Sequence, residues 1–279
     1  MKRKVYTITG GTGYIGAQLL ARLSKEDALI YAIVRETSNK LVGNDNIIYV
    51  TYDGTEASIE SVLRESDYLI HLGALYTTRT DENSVKDLIH SNVLFSTMLF
   101  NLASRVNPDI VIASASTFSE LDENGEYAPA SLYAATKKAV EEIAKFYTNL
   151  SIHFLSLPDT FGPGDWRPKV HNLVRKNTKW PFEFRSPKEQ EIRMLHVEDV
   201  IGHFLFSLND STKGTHFHDI YSEGILLTLE ELSKILTDQP CVFSTTAEIV
   251  KIPKKARDFS KPTGYKNKYK EVEFNHIPL

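Results

Sequence analysis

An α/β fold is what the sequence predicts: a doubly wound parallel sheet followed by a smaller C-terminal α/β lobe. Three observations carry this. Apolar, β-rich runs recur along the first 157 residues; segments with helical spacing separate them; and the opening run meets "TGGTGYIG", four glycines in eight positions. Strands alternating with helices imply a sheet that is mostly parallel and covered on both faces.

In chain order, Val5 to Ile8 form the first strand, and Gly10, Gly13 and Gly16 the turn into a helix over 14–24. Strands follow at Leu29 to Val34 and Ile47 to Thr51, then a helix over 55–64 and a strand from Tyr68 to Leu72. The longest helical pattern, 83–105, precedes a strand from Asp109 to Ala113, a helix over 131–148 and a strand from Ile152 to Leu157. We place the first domain at 1–157 and an interleaved substrate lobe at 158–279, where Pro158, Gly162, Pro163, Gly164, Pro168, Pro181 and Pro187 break the alternation. Helices are expected there at 168–177, 197–208 and 228–237, the last opened by Thr228 and Glu231 as a capping box.

The chain's 279 residues, 42% hydrophobic and 24% charged, are ordinary for a globular protein with a large core. A net charge of −4 and the lack of a basic block in the first 250 residues argue against a nucleic-acid partner. Cys241 is the lone cysteine, so no internal disulfide forms. No apolar run approaches the ~18 residues of a membrane span, and the start lacks a signal-peptide core. The expected location is the cytoplasm. Residues 251–279 hold eight Lys/Arg against three Asp/Glu and read as a solvated extension.

A strand, a glycine turn and an amphipathic helix make the dinucleotide turn of a Rossmann domain, in which backbone N–H groups approach a pyrophosphate. Gly10, Gly13, Tyr14, Ile15 and Gly16 are the candidates to hold it. The second strand ends at Arg35, which suits a 2′-phosphate, beside Glu36, which suits a free ribose. NADP(H) is favoured over NAD(H) on that ground.

Tyr133 and Lys137, four apart on the 131–148 helix, project from one face. A phenol titrating near pH 10 is a poor acid or base at neutrality, and a nearby ammonium lowers that value. Tyr133 can then exchange a proton with a carbonyl or alcohol while hydride moves to or from a nicotinamide.

With Gly10-x-x-Gly13-x-x-Gly16 and Tyr133-x-x-x-Lys137, the chain resembles the extended short-chain dehydrogenase/reductase family, whose members mostly modify nucleotide-diphosphate sugars. "HLGAL" is similar to the family's cofactor turn, which implies cofactor contacts by Leu72, Gly73 and Ala74; Asp53 and Gly54 are similar to its adenine contact and Asn92 to its central-helix asparagine. "MLHVEDV" from Met194 resembles its His-Val-x-Asp-Val helix start. Within the family, "LYAATKKA" and "DTFGPGDWRPKVHNL" look most like abequose-synthase-like reductases of 4-keto-6-deoxyhexose nucleotides.

The resemblance implies further roles. The substrate hydroxyl of the family falls at Ala115 here, so Ser116 or Thr117 must replace it, and Ser114 lines the cofactor side with Pro158. The family's pyrophosphate arginine falls at Ile192, leaving Arg193 or Arg167 for that grip, with Thr160 and His196 as other substrate contacts. "GYKNKYKEVEF" resembles the family's Gly-aromatic-x-Pro segment with Asn267 in place of proline. His216-x-His218 lacks an acidic or Cys neighbour in sequence, so no metal is expected, and Glu141-Glu142 read as a solvated face.

The leading expectation is an NAD(P)H-dependent reductase of the C4 ketone of a nucleotide-linked 4-keto-6-deoxy sugar. A nucleotide-sugar 4-epimerase with retained NAD is the enzyme alternative. Dehydratases of the family carry an Asp-Glu pair where Ser116-Thr117 stand. A non-catalytic dinucleotide-binding regulator is the alternative of another class. Homodimerisation through the 83–105 and 131–148 helices is what the resemblance implies.

Overall fold

A computed structural model describes residues 3–38, 44–254, 256–257 and 259–269. The first half runs β1 (Lys4–Thr9), α1 (Tyr14–Leu23), β2 (Ala28–Arg35), β3 (Ile47–Tyr52), α2 (Ala57–Glu65), β4 (Tyr68–His71), α3 (Glu82–Leu88), α4 (Phe95–Val106), β5 (Val111–Thr117), α5 (Leu132–Ala144) and β6 (Ser151–Leu157). The second half holds β7 (Asp159–Phe161), α6 (Val170–Arg175), β8 (Phe182–Glu183), β9 (Glu191–His196), α7 (Val197–Ser207), β10 (Gly214–His218), β11 (Ile225–Thr228), α8 (Leu229–Leu236) and β12 (Cys241–Val242).

Seven parallel strands form the main sheet in the order β3-β2-β1-β4-β5-β6-β10. Because side chains alternate across a strand, the sheet feeds two cores. Ile8, Ile30, Ile70, Ala113 and Leu155 pack under α1 and α7. Ile33, Leu69, Ile112, Ile152 and Phe154 pack under α2, α4 and α5. Burial on both faces is why these strands read as unbroken apolar runs.

The second half is woven into the first. α7 covers the same face as α1, and β10 pairs with β6 from Gly214↔Ser151 to His218↔Leu155. What stands apart is a sheet ordered β11-β9-β7, the β8–β12 pair, and α6 and α8 around Phe161, Val174, Phe184, Met194, Leu229 and Leu232. Thr228 and Glu231 close the capping box as expected: Glu231 N donates to Thr228 Oγ1 at 3.2 Å and Thr228 N to Glu231 Oε2 at 2.8 Å.

Two expectations need correction. The single helix over 83–105 is broken by a π-helical turn, Ile89–Leu94, between α3 and α4. The basic tail is no solvated extension: Ile252 and Arg257 are buried, and Asp199 of α7 accepts from Tyr265 Oη, Lys268 N and Tyr269 N at 2.8 to 3.1 Å. A Cβ on Gly202 would lie 2.2 Å from the Tyr265 ring, so this glycine seats the tail on α7. Residues 270–279 of the tail lie outside the described residues.

Candidate active site

At the carboxyl end of β1 the chain turns at Gly10, whose φ of +72° disfavours any side chain. A Cβ there would lie 2.6 Å from Gly73 N, and one on Gly16 would lie 2.2 Å from Gly10 O. These two glycines therefore admit the protein's own backbone: the turn after β4 and the start of α1. Gly13 faces more open space, with only Gly10 O within 4 Å at 3.3 Å. It caps α1 without a side chain, and no acidic residue stands in the first turn. The N–H groups of Tyr14 and Ile15 point out of an uncapped helix start, which suits a phosphate and fits a dinucleotide. The Ile15 side chain packs into the core, and the Tyr14 ring lies 4.4 Å beneath the Arg167 guanidinium.

Arg35 and Asp53 sit exposed at the same edge, at the ends of β2 and β3. Asp53 Oδ1 holds its own turn through Thr55 N at 2.8 Å and Thr55 Oγ1 at 2.7 Å, with Gly54 at φ +98°.

A buried relay ties this edge to the central helix. Thr9 Oγ1 accepts from Gly73 N at 3.1 Å and meets His71 Nδ1 at 2.6 Å; His71 Nε2 meets Ser96 Oγ at 2.8 Å, and Ser96 donates to Asn92 O at 2.6 Å. Asn92, inside the π turn, accepts from Leu75 N at 2.7 Å and donates to Leu75 O at 3.0 Å and Thr136 Oγ1 at 3.1 Å. Leu72, Gly73 and Ala74 are thereby fixed between the glycine turn and α5. Sequence reasoning named Asn92 but missed Thr9, His71, Ser96 and Thr136. The Asn92–Ser96 spacing of one helical turn was the available signal.

Burial holds His71 down at about 3, with Lys137 adding to the effect, and burial holds His153 down at about 4. Each folds neutral and takes up a proton on unfolding below its ordinary value of 6.5. Unfolding by denaturant should therefore become easier as pH falls from 6.5 toward 4, by about 1.4 kcal/mol per pH unit for each histidine. Flat stability across that range would refute the assignment.

Tyr133 and Lys137 lie on α5, whose start is capped by Ser131 Oγ accepting from Ala134 N at 3.2 Å. The Tyr133 ring meets Tyr76 edge-on at 5.0 Å, beside the fixed turn after β4. One correction concerns titration. Burial, with Tyr76 and Glu120 adding, pushes the phenol up to about 12, and Lys137 does not draw it down. Lys137, only 5% exposed, is lowered to about 8 by burial, opposed by the carboxylates of Glu141 and Glu120. Glu141 is thus no part of a solvated face: it is fully buried.

On β5, Ser114 and Ser116 share the alternation of Ile112, the face toward α5, and both hydroxyls are buried without a hydrogen-bond partner. Thr117 instead accepts from Ser119 N at 3.3 Å and caps a short turn over Phe118–Glu120. Of the two candidates to stand in for Ala115, the Ser116 hydroxyl is therefore the one without a hydrogen-bond partner.

The substrate candidates fare unevenly. Arg167 is bound within its own loop: Nε and Nη2 donate to Asp165 at 2.7 and 2.8 Å, and Nη2 also to Thr160 O at 2.6 Å. Thr160 itself is buried, its hydroxyl 3.5 Å from Pro158 O. His196 caps α7, accepting from Glu198 N at 3.3 Å, and stacks on Tyr269 at 3.8 Å. Arg193 is buried on β9; Nη1 donates to Ser222 O and Gly224 O at 3.2 and 3.3 Å, while Nε has no partner. Away from this edge, folding does bring His153 and Asp210 to His216, with ligand atoms within 4.8 Å. His153 Nε2 meets Asp210 O at 2.7 Å, His216 Nε2 meets Thr212 O at 2.8 Å, and Asp210 Oδ1 accepts from Thr212 N at 2.9 Å. These contacts brace the β6–β10 edge.

Residues 6–221 match the model of the NAD dependent epimerase/dehydratase family. The chain belongs to this family. Family membership makes the protein an enzyme. Similar chains include CDP-abequose synthase of Salmonella typhimurium, 28% identical over 73% of this chain and 69% of the synthase. UDP-glucuronate 4-epimerase 1 of Arabidopsis thaliana is 26% identical over 75% of this chain, which spans 56% of that relative. Among solved structures, MoeE5 in complex with UDP-glucuronic acid and NAD superposes with a TM-score of 0.79 at 19% identity, covering 95% of this chain and 94% of MoeE5. A UDP-N-acetylglucosamine 4-epimerase from Methanobrevibacter ruminantium, in complex with UDP-N-acetylmuramic acid, gives 0.76 at 21% identity, covering 96% and 94%. These likenesses support the Rossmann-like α/β fold. Among the described residues, no helix is long and apolar enough to cross a membrane.

Proposed function

We propose that this enzyme reduces the C4 ketone of a nucleotide-diphosphate 4-keto-6-deoxy sugar. The observation that carries the proposal is the placement of Tyr133 and Lys137 on α5 beside the fixed turn after β4, at the carboxyl edge that holds the uncapped α1 start. A bound nicotinamide supplies the hydride. The phenol, still protonated at neutral pH, suits a donor to the ketone oxygen. Lys137 holds a positive charge one helical turn away, and Ser116 offers a free hydroxyl to orient the ketone. For the cofactor we take NAD(H): related complexes contain NAD, and Arg35 alone speaks for NADP(H).

The likeness to UDP-glucuronate 4-epimerases supports a second reading, in which the same centre oxidises C4 and returns the hydride to the other face. Both readings share the nucleotide sugar as substrate. The proposal extends to a homodimer, because Ile89 and Leu94 on the central helix and Phe146 just past α5 are exposed. A regulator without catalysis would have no use for a buried lysine placed beside a tyrosine.

Incubation with a CDP- or UDP-linked 4-keto-6-deoxyglucose should consume NADH or NADPH one for one with product. UDP-glucuronic acid converted to its 4-epimer with no net change in NAD would decide for the epimerase. Turnover of neither compound class would overturn both readings.

A further inference from the structure

Two buried clusters tie the second half of the chain to the main sheet. In one, Arg257 binds Asp219, Glu120 and Glu141 at 2.6 to 3.2 Å, a cation against three carboxyls. The other is made of histidines and lies on the β6–β10 edge, where β10 begins beside the start of β6. The His153 ring is stacked between His216, centre to centre 4.8 Å, and His218, 5.2 Å. His153 is fully buried and His218 nearly so.

The ring hydrogens do not suffice for the contacts these histidines make. Three contacts run in a chain: Asp210 O to His153 Nε2 at 2.7 Å, His153 Nδ1 to His218 Nε2 at 3.0 Å, and His218 Nδ1 to Lys261 O at 2.7 Å. Each needs one hydrogen between its two atoms, and the carbonyls at both ends can only accept. Two neutral imidazoles carry two hydrogens. Ser151 Oγ, 3.1 Å from Asp210 O and 3.2 Å from His153 Nε2, can serve either atom but cannot place its hydrogen between them. One contact is therefore short of a positive centre. When the Lys261 and His218 contacts take the two hydrogens, the lone pair left facing an oxygen is that of His153 Nε2.

Further ligands gather around His153. It offers a ligand atom together with Asp210 and His216, and the three atoms lie within 4.8 Å of one another. His216 stands opposite His153 in the strand register; its Nε2 lies 2.8 Å from Thr212 O, which takes that hydrogen and leaves Nδ1 as a lone pair. A metal-bound histidine keeps its other nitrogen on a fixed acceptor, which sets the tautomer. His153 has His218 for this purpose, and His216 has Thr212 O. Zn–N bonds of about 2.1 Å set tetrahedral ligand atoms about 3.4 Å apart. A swing of the exposed Asp210 side chain supplies the closure, and with His216 half-buried the ion has a way in.

We propose that His153 Nε2, His216 and the Asp210 carboxylate hold one divalent transition-metal ion, and two imidazoles with a carboxylate suit Zn2+. The ion ties β6 to β10 and to the connection that precedes β10, and so fastens the second half of the chain to the main sheet. Its role is structural and does not depend on the reaction proposed above.

The test is calorimetric titration of the full chain with ZnCl2 near neutral pH, after stripping with EDTA and dialysis. One ion per chain should bind, and at a hundredfold excess of free zinc over Kd the thermal midpoint should rise by about 5 °C. Asp210→Asn keeps the acceptor for Thr212 N; it and His216→Gln should each weaken binding about tenfold or more. His90→Gln, at an exposed histidine elsewhere, should leave binding unchanged. In 15N-histidine spectra of the zinc-treated protein, His153 should carry its hydrogen on Nδ1 alone. Absence of binding, or binding that survives both substitutions at the parental affinity, would overturn the proposal. So would a His153–His218 pair that carries three ring hydrogens in the presence of zinc, since a proton would then fill the place given to the metal.

Discussion

Tyr133→Phe is expected to lower kcat about a thousandfold, the usual reach of a positioned acid–base group. The substitution removes only the hydroxyl. The ring keeps its edge-on contact with Tyr76, so neither the fold nor dinucleotide affinity should change. Steady-state rates with the preferred sugar nucleotide, set beside calorimetric titration with NAD, check both halves. A variant that retains more than about a tenth of the parent kcat would remove Tyr133 from the chemistry.

Gly16→Ala should abolish dinucleotide binding and destabilise the protein by about 3 kcal/mol, the upper end for overpacking. Helix propensity alone argues the other way, since alanine improves on glycine by roughly 1 kcal/mol inside a helix. The clash wins because the new methyl would lie 2.2 Å from Gly10 O, a backbone atom that cannot step aside without opening the turn. Gly54→Ala is the control. Its φ is +98°, yet nothing lies within 4 Å of the new atom, so only backbone strain of about 1 kcal/mol is expected. Denaturant unfolding of the two variants separates collision from strain; equal losses would refute the close approach of α1 to the turn.

Much of the architecture could be read locally. The runs that became β1 to β6 are apolar because both faces of the sheet are covered, and the glycine turn announces itself by composition. β10 escaped notice because "GTHFH" gains its strand character only by lying beside β6, far back in the chain. β7, β8 and β12 are two or three residues long, too short for periodicity to show. The Tyr133–Lys137 pair was legible because one helical turn relates its members. The local bonds of Arg167 and His196, on Asp165 and on Glu198 N, are ones that spacing does not reveal. Glu141 resembled a surface charge because, beside its local pairing with Lys138, its second cation, Arg257, arrives from 116 residues away.

That separation bears on how the molecule is made. Glu120 is translated 137 residues ahead of the guanidinium that neutralises it. A nascent chain can lay down β1 to β6 early, with Glu141 already in reach of Lys138 on its own helix, whereas Glu120 meets its guanidinium only when Arg257 emerges. The ionic cluster against α5 is therefore complete only once the chain has been made as far as Arg257.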